Sequence, residues 1–99
     1  ITDNRLGGWY SYRASKAALN MFLKTLAIEW QRTMKHSVVL SLHPGTTDTP
    51  LSQPFQQSVP KGKLFTPEYV ANCLLPIIAN ATPAQTGRFF AYDGTELPW

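Results

Sequence analysis

From Tyr10 to Thr33 the chain runs without a proline or a glycine, so nothing in the backbone chemistry interrupts regular structure there. Ala14, Ala17, Ala18, Met21, Phe22, Leu26 and Ala27 recur at helical intervals, flanked by Leu19, Leu23 and Trp30. The spacing predicts a helix over residues 10–33, about 36 Å long at 1.5 Å per residue. Its apolar positions cover most of the circumference, unlike the single stripe of a surface helix. Such a helix calls for a sheet on one side and another helix, from a second subunit or from the same one, on the other.

The remaining elements follow from their punctuation. The segment SVVLSLH, Ser37 to His43, is short, apolar and rich in β-branched residues, and reads as a buried strand stopped by Pro44-Gly45. Residues 44–66 hold Pro44, Pro50, Pro54, Pro60, Gly45 and Gly62; they read as one long loop, of the length usually found at functional or mobile sites. Thr66, Pro67 and Glu68 supply a cap, a proline at the first helical position and an acid in the first turn. The second helix is expected to reach about Asn80, with Pro76 as a kink or early stop. After ATPAQTG, the stretch RFFAYDG reads as a second strand ending at Gly94.

Helix, strand, long loop, helix, strand is the alternation of an α/β fold, with parallel strands joined by a helical crossover. Two strands are too few for a parallel sheet covered on both faces. Residues 1–99 are therefore expected to be the C-terminal portion of a larger protein.

Composition narrows the functional classes. The chain has 99 residues, 43% hydrophobic and 15% charged, which is a globular composition rather than that of a disordered tail. The net charge of +3 comes from cations scattered from Arg5 to Arg88, with none of the clustering that marks a nucleic-acid surface. No apolar run approaches the roughly 20 residues that span a bilayer, and ITDNRLGG lacks the apolar core of a signal peptide. The single Cys73 cannot form an internal disulfide and sits in the apolar run VANCLLPII, where a buried, inert thiol is expected. A reducing, cytoplasmic setting fits these features.

The chemistry concentrates in WYSYRASKAALN, Trp9 to Asn20. Residues at i and i+4 lie about 40° apart around a helix, one turn apart along it. Tyr12 and Lys16 have this relation; Tyr10 does not, because its partner position is Ala14. A phenol titrates near ~10 and is a poor base at neutral pH. A nearby ammonium favours the phenolate and moves such a group toward acid–base work. Ala14, Ser15 and Ala17 are small enough to let a flat ligand approach. The spacing alone is also that of an ordinary surface pair.

The surroundings add to it. YRASKAALNMFLKTLAIEW followed by VVLSLHPGTTDT closely resembles the short-chain dehydrogenase/reductase family, in which a Tyr-x-x-x-Lys helix precedes a strand and a Pro-Gly loop. The resemblance covers nearly the whole chain. It implies the C-terminal part of a Rossmann-like, doubly wound parallel sheet, and hydride transfer between NADP or NAD, with NADP ahead of NAD, and a carbonyl or alcohol substrate. By that resemblance Tyr12 is the acid that protonates the carbonyl oxygen, or the base in reverse. Lys16 favours the phenolate and hydrogen-bonds the nicotinamide ribose hydroxyls. Pro44 and Gly45 shape the loop over the nicotinamide, the Thr47 backbone binds the carboxamide, and the Thr49 hydroxyl contacts carboxamide or phosphate. Family members usually carry an aliphatic residue where Thr47 stands. For Thr49 a turn-stabilising hydroxyl is the alternative. The tail TGRFFAYDGTELPW resembles the C-factor-like branch of the family.

The resemblance also marks what is missing. The family's glycine-rich pyrophosphate turn has no counterpart, since Gly7-Gly8 lacks both the spacing and a preceding strand. The family's catalytic serine falls at or before Ile1, and Thr2 is a poor substitute. The 99 residues alone are accordingly expected to be inactive, and the long helix to build a homo-oligomer. Trp9 and Phe55 are candidates for the substrate pocket, with packing as their ordinary role, and His43 is a structural or solvent-facing histidine beside the Pro-Gly loop. No group of side chains suggests a metal. A non-catalytic interaction or signalling protein on the same scaffold is the competing reading.

Overall fold

The computed structural model describes residues 1–99. Helix α1 spans Tyr10–Thr33, as the absence of breakers requires. Strand β1 follows at Leu40–His43, a short strand β2 at Thr46–Thr47, a 3-10 helix at Gln53–Ser58 and strand β3 at Leu64–Phe65. Helix α2 occupies Pro67–Ala79, a second 3-10 turn Pro83–Gln85, and strands β4 and β5 Arg88–Ala91 and Glu96–Leu97.

The sheet order is β1-β4-β5. β1 and β4 are parallel, pairing Leu40 with Arg88 through His43 with Ala91, and α2 lies on the crossover between them. The expected parallel pair is present, but each strand is shorter than its apolar pattern. Ser37–Val39 stay outside β1, where the Val39 N–H finds a side chain rather than a strand carbonyl and Gly87 takes a φ of 77°. Val39 is instead tied by the Gly87 N–H donating to its carbonyl at 2.7 Å and by its own N–H donating to Thr86 Oγ1 at 2.9 Å. At the other end, Tyr92–Thr95 form a turn that the strand pattern had absorbed. It reverses the chain so that β5 pairs antiparallel with β4, which makes the sheet mixed. The Thr95 N–H donates to Asp93 Oδ1 at 3.0 Å and holds that carboxyl below its usual range.

The segment read as one long loop also carries structure. β2 and β3 form their own parallel pair, Thr46 with Leu64 and Thr47 with Phe65, extended by the Asp48 N–H donating to Phe65 O at 2.8 Å. Residues 48–63 are thereby closed at the base into a flap. The start of α2 follows its signals: the Thr66 hydroxyl accepts from the Tyr69 N–H. Pro76 does not end the helix, although it withholds the donor that the Asn72 carbonyl would otherwise receive. Cys73 is half-buried rather than buried. It lies one turn from Tyr69, and the nearby thiol, more than any other neighbour, pushes that phenol up from its ordinary value. Trp99 stacks on Phe89 with ring centroids 5.6 Å apart.

Packing is thin. Only seven of the 99 residues are buried, and α1 buries Ala27 alone, so the elements enclose no core of ordinary size. Ala27 meets the sheet beside Gly87, where an added Cβ would stand 3.2 Å from the Ala27 Cβ. Tyr10, Leu19, Met21, Phe22 and Ile28 of α1, with Leu75 and Ile78 of α2, remain exposed. No helix is long and apolar enough to cross a membrane.

Candidate active site

Docking of α1 onto β1 positions the site. Ser41, buried in β1 at 7% exposure, donates its hydroxyl to Asn20 Oδ1 of α1 at 2.9 Å. Asn20 is one turn beyond Lys16 and two beyond Tyr12, so this bond sets which face of the helix looks toward the end of β1. Lys24, a further turn on, donates to the Gly87 carbonyl at 3.4 Å. Asn20→Ala should destabilise the fold by about 1–3 kcal/mol, because it strands a buried hydroxyl. Asn20→Ala combined with Ser41→Ala should recover most of that loss. Thermal melts of the single and double variants check this; a double variant no more stable than the single one would show that the bond is not the link.

At the C-terminal end of β1 the chain opens a cleft of about 680 Å³, lined among others by Tyr12, His43, Pro44, Gly45, Thr47 and Thr49. This is the end of a parallel sheet where α/β folds place their ligands. The Lys16 ammonium lies 5.7 Å from the centroid of the Tyr12 ring, within reach of a cation–π attraction. Lys16 is not itself on the cleft wall. Tyr12 is 59% exposed, so its phenol is open to a ligand. Gly45 sits at φ 73° against the Phe65 ring, and that ring packs on Tyr69 and Tyr92 at centroid distances of 5.0 and 4.7 Å.

Ser52 organises the threonine side of the cleft. Its hydroxyl donates to the Thr47 carbonyl and accepts from the Thr49 N–H at 3.2 Å, while its own N–H donates to Thr49 Oγ1 at 3.3 Å. The Thr49 hydroxyl thus stabilises a turn, the alternative its sequence context offered, and remains on the cleft wall. Gln56 Nε2 donates to Asp48 Oδ1 at 2.9 Å and to Ser52 Oγ at 3.1 Å, which fastens the flap. Of the candidate residues, the structure gathers Tyr12, Pro44, Gly45, Thr47 and Thr49 around one cleft, with Trp9, His43 and Phe55 beside them. Arg13, Thr46, Leu51 and Ser52 also line it and were not singled out from sequence. Only Ser52 carried a signal, as a hydroxyl three residues after Thr49 in a turn-rich segment.

Backbone and hydroxyl groups of Pro44–Thr49 line the same cleft as the Tyr12 phenol, a set of groups that would suit the nicotinamide half of a dinucleotide. Nothing of comparable design for an adenosine or pyrophosphate group lies within these 99 residues.

Parallel strands, a helical crossover and a cleft at the strands' C-terminal end define the class as a Rossmann-like α/β fold. The family model for short chain dehydrogenase matches residues 1–60, and the chain belongs to that family. It is 38% identical over 99 residues to "C-signal" of Myxococcus xanthus, covering all of this chain and 54% of that one. To "1-hydroxy-2-glutathionyl-2-methyl-3-butene dehydrogenase" of Rhodococcus sp. (strain AD45) it is 42% identical over 99 residues, covering all of this chain and 42% of that one. Among solved structures it resembles an NADPH-bound carbonyl reductase from chicken fatty liver, with a TM-score of 0.82 and 25% identity over all of this chain and 38% of that one. The chain spans about half the length, or less, of the curated relatives it matches.

Proposed function

We propose that this chain is the C-terminal catalytic segment of a short-chain dehydrogenase/reductase that transfers hydride between a nicotinamide dinucleotide and a carbonyl or alcohol substrate. The observation carrying the reading is the Tyr12 phenol on the wall of the 680 Å³ cleft, with the Lys16 ammonium one turn below and 5.7 Å from its ring. The cofactor, when bound, supplies or accepts the hydride. Tyr12 gives its phenolic proton to the carbonyl oxygen during reduction, and takes it back from the alcohol in reverse. Lys16 stabilises the phenolate left behind and holds ribose hydroxyls. Pro44 and Gly45 keep the chain close to the ring, the Thr47 backbone binds the carboxamide, and Thr49 presents its hydroxyl beside it. NADP is preferred to NAD in this proposal, supported by the carbonyl reductase neighbour described with NADPH.

The glycine-rich half that would bind adenosine and pyrophosphate, and the serine that would share the substrate oxygen, belong to a longer parent chain. Purified residues 1–99 should give no turnover with NADPH and a panel of ketones and aldehydes, while the parent does. Turnover by the 99 residues alone would defeat this division of labour. The exposed apolar faces of α1 and α2 are covered in the parent by the preceding half and by a second copy. Sedimentation of the parent should accordingly show an oligomer; a monomer persisting at high concentration removes the second copy from the proposal.

A further inference from the structure

One wall of the cleft is built in a way that proton transfer does not require. Gly7, Gly8 and Trp9 have φ of 68°, 69° and 57°, a run of three left-handed residues leading into α1. Two are glycines, for which this is free, but the third is a bulky tryptophan, for which it is strained. Arg13 holds the turn in place: its Nε donates to the Gly8 carbonyl at 2.9 Å and its guanidinium also to the Gly7 carbonyl at 3.4 Å. Strain of this kind persists where the surroundings impose it and is concentrated at ligand sites.

The outcome is an aromatic corner. The Trp9 ring meets Phe55 of the flap at a centroid distance of 4.9 Å and an interplanar angle of 67°, and meets Tyr12 at 6.1 Å and 75°. Pairing leaves both rings open, Trp9 at 55% and Phe55 at 52% exposure, and both line the cleft. Two faces set steeply to one another accept a third ring stacked on one and edge-on to the other. No carboxylate lines the cleft, and its only guanidinium is occupied by the Gly7 and Gly8 carbonyls. The wall therefore recognises shape and π-surface rather than charge.

We propose that Trp9 and Phe55 determine substrate specificity, and that the carbonyl compound reduced here bears an aryl ring next to the carbonyl. This rests on the reading of Tyr12 as proton donor: a ring held in the corner puts the neighbouring carbonyl oxygen beside the Tyr12 phenol. Hydride adds to the carbonyl carbon, the Tyr12 proton goes to the oxygen, and the aryl group is unchanged.

The test compares acetophenone with 2-hexanone as substrates of the full-length parent. The parent should favour acetophenone in kcat/KM. Trp9→Gly should collapse that preference by about tenfold to a hundredfold, mainly through KM, the range expected for losing one face of a buried ring. Trp9→Phe should keep part of it, and Phe55→Ala should lose it as Trp9→Gly does. Glycine is at ease at φ 57°, so Trp9→Gly removes the ring without straining the fold, and a thermal melt verifies this. An acetophenone preference that survives both Trp9→Gly and Phe55→Ala, or a parent that never favours acetophenone, overturns the proposal. Calorimetric binding of the two ketones to the parent with its cofactor applies the same criteria without turnover. If Tyr12→Phe keeps full turnover, the proton-donor reading fails separately, and the calorimetric comparison still decides the role of the corner.

Discussion

Tyr12→Phe in the full-length parent is expected to lower kcat/KM for carbonyl reduction by about 10²–10⁴-fold, the usual contribution of a positioned general acid. The substitution removes one hydroxyl and keeps the ring, so the edge contact with Trp9 at 6.1 Å survives. Tyr12 is 59% exposed, which means that no buried hydrogen bond is lost and stability should barely change. NADPH affinity should fall far less than kcat/KM, because in the proposed binding mode the Tyr12 hydroxyl would add one contact to several made by Pro44–Thr49. The comparison requires steady-state kinetics, a cofactor titration and a thermal melt on the same preparations. Turnover within about threefold of wild type, well short of a general acid's contribution, would remove Tyr12 from the chemistry and favour an interaction protein on this scaffold.

Gly45→Ala should have the largest effect on stability, about 2–5 kcal/mol from two independent sources. Holding a non-glycine residue at φ 73° costs about 1–2 kcal/mol. The new Cβ would also stand 2.7 Å and 2.9 Å from Phe65 Cε2 and Cδ2, and 3.3 Å from Tyr92 Cδ1, and overpacking of this kind costs about 1–3 kcal/mol. Phe65 cannot simply yield, because Tyr69 and Tyr92 hold it from other sides and its backbone pairs with Thr47. Chemical denaturation measures the loss. Since Gly45 also lines the cleft, cofactor affinity should drop with it. A Gly45→Ala protein as stable as wild type would mean that the Pro44–Thr47 turn can relax, and that its close approach to Phe65 is not a constraint.

The elements that depend on neighbours in sequence were legible from the residues. The unbroken run from Tyr10 made α1, and Thr66-Pro67-Glu68 started α2 at the position their chemistry dictates. The parallel pairing of the two apolar segments followed from the helix between them. Strand ends were less legible. Val38 and Val39 look like strand, yet pairing begins at Leu40, because the Val39 N–H goes to the side chain of Thr86, far along the chain, rather than to a strand carbonyl. β5 was missed because Glu96-Leu97 has no strand pattern of its own; the Asp93–Thr95 turn delivers it to β4. Cys73 was expected to be buried from its apolar neighbours in sequence, but a helix in an apolar run still has an outer side, and Leu75 and Ile78 lie on it.

The candidate site divides in the same way. That a phenol and an ammonium would neighbour each other one turn apart was determined by the sequence, because helical geometry is local and Tyr12 and Lys16 lie within one unbroken helix. That the phenol shares a cleft with Pro44–Thr49 and that Trp9 meets Phe55 across the flap were decided only by the tertiary structure. Those relations run through the Asn20–Ser41 bond, the Gly87 turn and the β2–β3 closure, which join residues distant in the chain. No periodicity or local propensity encodes such contacts; they exist because packing and hydrogen bonding bring the segments together.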